Sequence, residues 1–172
     1  VNFAGLIAEQ KELEFDIKRN GVLDIYAQLD PTRLRQVVWN LINNAVKFTQ
    51  QGKVTLECSR ENRVEGPWLV MKVSDTGQGI PPEQLAHIFD MYYKAPDLKG
   101  TNAIGSGIGL AVTKALVSAM KGIITVNSTE GEGSCFTVQI PLSLCVAPTE
   151  QSYVGRGLYI LLVEYVPLNA EI

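Results

Sequence analysis

The sequence predicts an α+β fold in which a mixed β-sheet is covered by helices on one face. Short segments of alternating hydrophobicity lie on both sides of one long amphipathic helix, a second helix follows much later, and two strands close the periodic part of the chain. The 172 residues suit one domain with a short appendage, and 46% of them are hydrophobic. That composition excludes a disordered chain.

Two strands are predicted before the long helix. Residues 14–17 and 23–29 alternate in hydrophobicity on either side of Asn20-Gly21, a dipeptide that is typical of tight turns. We therefore expect these two segments to pair as one hairpin.

The long helix is predicted to begin after Asp30 and to end near Gly52. Asp30 is a suitable N-cap, and Pro31 fits the first helical position because its missing N–H leaves no hydrogen bond unmade there. Apolar side chains then recur three and four residues apart. They predict one buried face, formed by Leu34, Val37, Val38, Leu41, Ile42, Ala45 and Phe48.

The remaining elements follow from the same periodicities. Four further strands are expected, at 54–58, 68–73, 123–126 and 135–140. The first two of these are joined by a polar turn through Gly66-Pro67. Two helices are expected, at 82–89 and 108–120. Residues 92–106 are polar and aperiodic, and a connection of that length is usually functional.

Composition and charge exclude several classes of function. With 15 Lys+Arg against 18 Asp+Glu the net charge is -3, so no basic field is available for nucleic acid. The longest apolar stretch, residues 158–163, is far too short to cross a membrane. The first four residues have no signal-peptide layout, and the three cysteines are too widely spaced for a zinc knuckle or a redox pair. We expect a soluble, cytoplasmic piece of a longer protein.

Glycines cluster at three turns, at residues 75–80 (DTGQGI), 105–110 (GSGIGL) and 131–133 (GEG). Ordinary turn and cap glycines would explain any one cluster, but three clusters in one layer with Asp75 beside them favour a ligand against the main chain. A helix that opens at Gly107 offers free N–H groups to a phosphate. There is no P-loop motif, and residues 105–110 follow a polar loop rather than the strand that a dinucleotide fingerprint requires.

Asn40, Asn44 and Lys47 lie four and three residues apart, on one side of the long helix. Asparagine is a poor helix former, so its use in mid-helix is unexplained by local structure. Amide oxygens are suitable ligands for Mg²⁺ that is shared with phosphates, and a lysine can contact a phosphate oxygen. A solvated polar face is the alternative.

These segments together resemble the motifs of bacterial sensor histidine kinases. Residues 30–49 resemble their N box, 75–80 the G1 box, 88–93 the F box, 105–111 the G2 box and 131–136 the G3 box. The motifs occur in order and at suitable spacing over roughly residues 8–142. The resemblance implies the Bergerat-type ATP-binding sandwich, which type II topoisomerase, mismatch-repair and heat-shock ATPases share.

The resemblance also implies roles for single residues. Asp75 would accept the adenine amino group, with Gly77 and Gly79 letting the base approach the backbone and Ser134 close to the adenine. Asn44, together with Asn40, would coordinate Mg²⁺, and Lys47 would contact the phosphates of ATP.

The loop of residues 92–106 would be the ATP lid of this family. Phe89 would anchor its base or belong to the core, Tyr93 is a further candidate ATP-binding residue, and Lys94 and Lys99 are candidate phosphate partners within the loop. The second glycine cluster would supply hinge positions and phosphate-facing groups, through Gly105, Gly107, Gly109 and Leu110.

The same resemblance predicts a kinase rather than a hydrolase. The hydrolytic relatives place a Glu where Asn40 stands, and an amide cannot act as a general base. The chain is therefore expected to be a protein-histidine kinase catalytic domain that passes the γ-phosphoryl group of ATP to a histidine on a separate dimerisation domain. His87, the one histidine, is expected to be structural or exposed rather than the acceptor. A regulatory nucleotide-binding module and an ATP-hydrolysing clamp remain the alternatives.

The amino-acid sequences of residues 33–55 and 88–95 resemble those of hybrid sensor kinases of the aerobic respiration control type. In such kinases a receiver domain follows the kinase core. We therefore divide the chain into a catalytic ATP-binding domain at 1–145, a linker at 146–157 and the start of a receiver domain at 158–172, in which Tyr165 stands where the family has an acidic metal ligand. The parent protein is expected at the inner membrane, with the histidine-bearing domain and a receiver or response regulator as partners.

Overall fold

The computed structural model describes residue 8 and residues 11–20, 27–93 and 107–145. In chain order the elements are β1 (Glu14–Asn20), β2 (Ala27–Gln28), α1 (Pro31–Phe48), β3 (Lys53–Arg63), β4 (Gly66–Asp75), α2 (Pro82–Leu85), α3 (Gly109–Ala119), β5 (Ile123–Thr129), β6 (Gly133–Pro141) and β7 (Ser143–Leu144). No helix within these ranges is long and apolar enough to cross a bilayer.

The main sheet has five strands in the order β1-β3-β4-β6-β5. β1 runs parallel to β3, and the other three pairs are antiparallel. A parallel pair needs a crossover connection, which α1 supplies between β1 and β3. Every second residue of β6 is buried, including Phe136, Val138 and Ile140, and these pack in one core with the inner faces of α1 and α3. The predicted α+β class with a mixed sheet and helices is confirmed.

The predicted hairpin of the first two strands is wrong. β1 pairs over its whole length with residues 53–59 of β3, whereas β2 belongs to a separate two-stranded sheet with β7, in which Ala27 faces Leu144. Residues 21–26, which include part of the expected second strand, lie outside the described residues. Alternating hydrophobicity identifies a strand but does not specify its partner, and here the crossover through α1 brought a distant strand alongside β1.

α1 begins as predicted and ends earlier than predicted. The Asp30 carboxylate accepts hydrogen bonds from the N–H groups of Thr32 at 3.0 Å and Arg33 at 3.1 Å, and such a cap contributes about 1 kcal/mol. The last helical residue is Phe48. Lys11 closes this end, because its Nζ donates to the carbonyl of Val46 at 2.8 Å. That contact ties the chain before β1 to the end of α1.

The buried face of α1 differs from the predicted one at its last turn. Phe48 is 37% exposed, Val38 is half-buried, and Val46 is buried instead. At this end of α1 the side chain of Phe48 lies outside the core, whereas the neighbouring Thr49 is fully buried. The exposed aromatic becomes part of the candidate site described below.

The other elements follow the prediction with shifted ends. β3 and β4 extend until Arg63 faces Gly66, so the turn consists of Val64 and Glu65, and the predicted turn residues Gly66-Pro67 lie inside β4. The predicted helix at 82–89 is helical only over residues 82–85. α3, β5 and β6 are found where they were expected.

Candidate functional site

Asp75 is the last residue of β4, and it faces Ser134 across the sheet. Its Oδ1 accepts a hydrogen bond from the N–H of Gly77 at 2.9 Å. Burial raises the pKa of the Asp75 carboxyl above its usual 3.8, and hydrogen bonds from the backbone N–H groups of Gly77 and Ser134 partly oppose that rise. A carboxylate has capacity for about four hydrogen bonds, so the group can accept a further donor from a ligand.

The glycine turn that follows Asp75 is packed directly against the turn between β5 and β6. Gly79 has a left-handed backbone (φ +68°), and a Cβ there would overlap the carbonyl of Thr129. Gly133 has φ +115°, and a Cβ there would overlap the carbonyl of Asp75 itself. Both positions therefore require glycine for conformation and for space.

Ser128 joins these two turns through hydrogen bonds. Its hydroxyl accepts from the N–H of Ile80 at 2.8 Å and donates to the carbonyl of Gly133 at 2.8 Å. The Ser128 Oγ also lies 3.0 Å from the Oγ of Ser134, which is buried. Asp75 thus sits in a main-chain framework that hydrogen bonds hold from both sides.

A cavity of about 210 Å³ lies between the end of α1 and the glycine turn. It is lined by Lys47, Phe48, Gln50, Gln51, Thr76, Gly77, Gln78 and Gly131. The Phe48 carbonyl accepts a hydrogen bond from the Gln78 N–H at 3.3 Å, so the helix end and the glycine turn are directly joined. The exposed Phe48 ring gives this cavity an apolar surface next to the Asp75 framework.

α1 carries the three polar residues that the sequence placed on one side of it. Asn40 and Asn44 are partly buried, and Lys47 lies one turn further on, with its Nζ 4.6 Å from the centroid of the Phe48 ring. The Asn40 Nδ2 donates to the carbonyl of Gly109 at 3.3 Å and to the Oγ1 of Thr113 at 3.2 Å. Asn40 is therefore the member of this set that contacts α3, whereas Lys47 lines the cavity beside Gly77.

The base of the predicted lid is described, but the lid itself is not. The N–H of Tyr92 donates to the carbonyl of Gly107 at 2.9 Å, so the chain enters and leaves residues 94–106 at one place. Phe89 packs edge-on against Phe136 with ring centroids 6.5 Å apart, and Tyr93 packs against the core.

Some of the residues predicted to bind phosphate lie outside the described part of the chain, and others lie at the start of α3. Lys94, Lys99 and Gly105 lie outside the described residues. Gly109 and Leu110 form the first turn of α3, and a Cβ at Gly109 would meet nothing within 4 Å. Among the described residues, the space that a side chain at Gly109 would occupy is therefore open.

His87 is exposed, as expected, yet it has an acidic neighbour in space. Its Nδ1 lies 2.9 Å from Oδ2 of Asp90, and its ring centroid is 5.8 Å from that of Tyr93. The acidic partner was not predicted because it stands three residues away on a turn rather than next to the histidine in sequence.

The donor set fits a cation that is shared with phosphates rather than one held by protein carboxylates. In the described ranges no group of three or more His, Cys, Asp or Glu side chains could hold a metal. The amides of Asn40 and Asn44 offer neutral oxygens, and Mg²⁺ commonly takes one or two protein groups together with phosphates and waters.

Two residues of this region were missed in the sequence. Phe48 was assigned to the buried face of α1, and the absence of apolar residues in the following Gln50-Gln51-Gly52 was the available signal that the core ends there. Thr113 is fully buried and hydrogen-bonded to Asn40. Its polar type at a buried helical position was the signal in that case.

Comparisons with known proteins agree with this geometry. The family model described as histidine kinase-, DNA gyrase B- and HSP90-like ATPase matches residues 29–144. The aerobic respiration control sensor protein ArcB of Escherichia coli strain K12 is 42% identical over 174 residues, which cover 98% of this chain and 22% of ArcB. The circadian input-output histidine kinase CikA of Synechococcus elongatus is 41% identical over 140 residues, which cover 81% of this chain and 18% of CikA.

Solved structures of histidine kinases are also similar to this chain. Full-length ShkA in complex with AMPPNP is similar with a TM-score of 0.72 and 32% identity, over 86% of this chain and 30% of that chain. The catalytic domain of the histidine kinase ThkA in a nucleotide-free form has a TM-score of 0.67 over 81% of this chain and 87% of that chain, and at 22% identity it supports the fold alone. The chain spans about a fifth of the length of the curated relatives named above.

Proposed function

Because the chain belongs to the histidine kinase-, DNA gyrase B- and HSP90-like ATPase family and is the ATP-binding catalytic domain of a sensor histidine kinase, we propose that it transfers the γ-phosphoryl group of ATP to a histidine on a separate dimerisation domain. The observation that carries the proposal is the chemical nature and the hydrogen bonding of the Asn40 side chain. Its side chain is an amide whose nitrogen is bound to α3, so it cannot take a proton from water. Transfer to a protein side chain is then favoured over hydrolysis.

The base end of the site comprises Asp75, residues 76–79, Gly133 and Ser134. In the proposed complex the Asp75 carboxylate accepts a hydrogen bond from the adenine amino group, and Gly77 and Gly79 allow the base to approach the backbone. The ring of Phe48, exposed beside Gly77, supplies an apolar surface for the base. Ser134 lies behind Asp75 and supports it through the backbone N–H.

The phosphate end comprises Asn40, Asn44, Lys47 and residues 107–110. Lys47 contacts a phosphate oxygen as a point charge, and the free N–H groups of Gly109 and Leu110 face the phosphates at the positive end of α3. The amide oxygens of Asn44 and Asn40 would hold Mg²⁺, which neutralises phosphate charge during transfer. Phe89 and Tyr93 hold the base of the lid, whose Lys94 and Gly105 we propose as further phosphate contacts.

ATP binding is the first experiment. Calorimetric titration of the chain with ATP, with and without Mg²⁺, is expected to give saturable binding that Asp75→Asn strongly weakens. Folded protein that binds no nucleotide would contradict the proposal.

Transfer is the second experiment. Radiolabel from γ-labelled ATP is expected on a supplied histidine-bearing dimerisation domain and to remain absent from the chain itself, with His87→Ala as the control for self-labelling. Binding without transfer would instead favour a regulatory nucleotide-binding module. Steady-state hydrolysis at the rate of a working clamp ATPase would favour the hydrolytic alternative.

The place of this domain in a longer protein is part of the same proposal. We take residues 1–145 as the catalytic domain, 146–157 as a linker and 158–172 as the beginning of a receiver domain, although residues 146–172 lie outside the described residues. The proposed partners are the dimerisation domain of the same protein and a receiver or response regulator. The proposed location is the cytoplasmic side of an inner-membrane sensor.

A further inference from the structure

The hydrogen bonds of Asn40 fix which end of its side-chain amide faces α3. The carbonyl of Gly109 can only accept, so the atom 3.3 Å from it must be the amide nitrogen. The same nitrogen donates to the Oγ1 of Thr113 at 3.2 Å. Both hydrogens of the amide are thereby directed to α3, and the oxygen is the end that this helix does not bind.

Thr113 makes this arrangement possible through its hydroxyl. The Oγ1 donates to the carbonyl of Gly109 at 2.8 Å, which uses its one hydrogen. Its remaining capacity is as an acceptor, and it is the Asn40 amide that fills it. A hydroxyl committed in this way accepts an N–H group and rejects an amide oxygen, since it has no further hydrogen to offer.

Local structure does not account for a threonine at this position. Thr113 is fully buried in the core-facing side of α3. Threonine is a weaker helix former than alanine or leucine, and its back-bond to a carbonyl four residues earlier slightly destabilises a helix. Valine has almost the same shape and would pack equally well. What the hydroxyl adds is the contact with Asn40.

We propose that Thr113 is a positioning residue that holds the Asn40 amide with its oxygen available to the metal and phosphates of the bound nucleotide. The inference rests on the function proposed above, in which Asn40 and Asn44 bind Mg²⁺. Without the Thr113 acceptor, the Asn40 nitrogen keeps only its longer hydrogen bond, to the Gly109 carbonyl at 3.3 Å, so the amide is held more weakly in the orientation that presents its oxygen to a cation. If Thr113 acts in this way, its replacement should weaken nucleotide binding only when the metal is present.

The test compares Thr113→Val with Thr113→Ser in calorimetric ATP titrations, with Mg²⁺ and with excess chelator. We expect Thr113→Val to weaken binding about fivefold to tenfold with Mg²⁺, the size of one neutral hydrogen bond. Without Mg²⁺ the change is expected to be less than about twofold, and Thr113→Ser should restore wild-type values. Equal weakening in both conditions would show a merely structural role and overturn the proposal.

Two further measurements separate the possible failures. Asn40→Ala is expected to remove the metal-dependent effect of Thr113→Val in a double-mutant cycle. A wild-type protein whose ATP binding does not respond to Mg²⁺ would overturn the metal role of Asn40 and the role of Thr113 together. Normal Mg²⁺ dependence in folded Thr113→Val would overturn the role of Thr113 alone.

A measurement on the unaltered protein covers the case in which Thr113→Val does not fold. The side-chain NH₂ protons of Asn40 are expected to exchange with solvent more slowly than those of Asn43, an exposed asparagine on the same helix. Equally fast exchange of the two amides in NMR spectra would overturn the proposal.

Discussion

The two ends of the proposed nucleotide site differ in what positions their functional groups. At the base end the main chain does the positioning, because Gly79 and Gly133 are pressed against the carbonyls of Thr129 and Asp75. At the phosphate end the proposed functional groups are side chains on α1, of which Asn40 is hydrogen-bonded to Gly109 and Thr113 of α3. The base end is therefore positioned by backbone packing, whereas the phosphate end is positioned by hydrogen bonds between side chains and α3.

This difference predicts different consequences of substitution. Substitutions of the base-end glycines should act through the fold, since their close backbone packing joins the two turns of the site. Changes at the phosphate end should alter ligand and metal binding while the fold stays intact. The predictions below test that division, beginning with the largest expected effect.

Gly133→Ala is expected to cause the largest loss of stability. The new Cβ would overlap the Asp75 carbonyl at a backbone angle that L-residues avoid, which should lower the free energy of unfolding by about 2–4 kcal/mol. Urea denaturation measures it. Gly109→Ala is the matched control, because a Cβ there meets nothing within 4 Å. Equal stability of the two variants would contradict a base end fixed by main-chain contact.

Asp75→Asn is expected to remove most ATP binding while leaving the fold intact. An amide loses the charge-assisted hydrogen bond to the adenine amino group and presents its own NH₂ group to it, so binding should weaken roughly 10-fold to 100-fold. Calorimetry measures the loss, and circular dichroism confirms the fold. Unchanged affinity would place adenine recognition elsewhere.

Asp75→Asn is also expected to change how the free energy of unfolding depends on pH. Burial raises the pKa of the Asp75 carboxyl in the folded state above 3.8, so the folded state binds more protons than the unfolded state as the group titrates. Wild-type stability should therefore fall relative to Asp75→Asn as the pH rises through 3.8 and the folded-state pKa, and the difference should then stay constant. Thermal denaturation of both proteins between about pH 4 and about pH 7 measures this difference. A difference of the opposite sign would contradict the burial effect.

Asn44→Ala is expected to have a smaller effect, confined to the metal-bound nucleotide. With Mg²⁺ the affinity for ATP should fall about tenfold, and with chelator it should stay within about twofold, because one neutral amide ligand is lost. Asn43→Ala, which changes an exposed neighbour on the same helix, should behave as wild type in both conditions. Loss of affinity without metal would mean that Asn44 supports the fold or binds the phosphates directly.

The sequence predicted those parts of the fold that depend on neighbouring residues, and it did not predict those that depend on contacts between distant segments. The start of α1 was predictable because Asp30 and Pro31 act on the residues next to them. The partner of β1 was not, because the alternation in residues 14–20 is the same for a hairpin and for a parallel pair with β3. The exposure of Phe48 was not predictable either, because helical periodicity places this residue in line with the buried Leu41 and Ala45.

The candidate site shows the same division. The order of the motifs identified Asp75 and the glycine turns, and the structure brings 75–79 and 133–134 together through contacts that were not readable from spacing. The pairing of Asn40 with Thr113 joins residues 73 positions apart. Nothing local in either segment indicates the other, so only the packing of α1 against α3 reveals the contact.

Phe48 allows the smallest and most discriminating test of the comparison, because it is a side chain from α1 that serves the base end. Since the ring is 37% exposed, Phe48→Ala should change stability little and weaken ATP binding roughly fivefold, about 1 kcal/mol of aromatic contact. Phe48→Tyr keeps the aromatic face and should bind normally. The loss should be the same with and without Mg²⁺, since the ring is proposed to contact the base and not the phosphates. A metal-dependent loss would instead assign Phe48 to the phosphate end, through Lys47 above its ring, and the two ends would then not be separable at this residue.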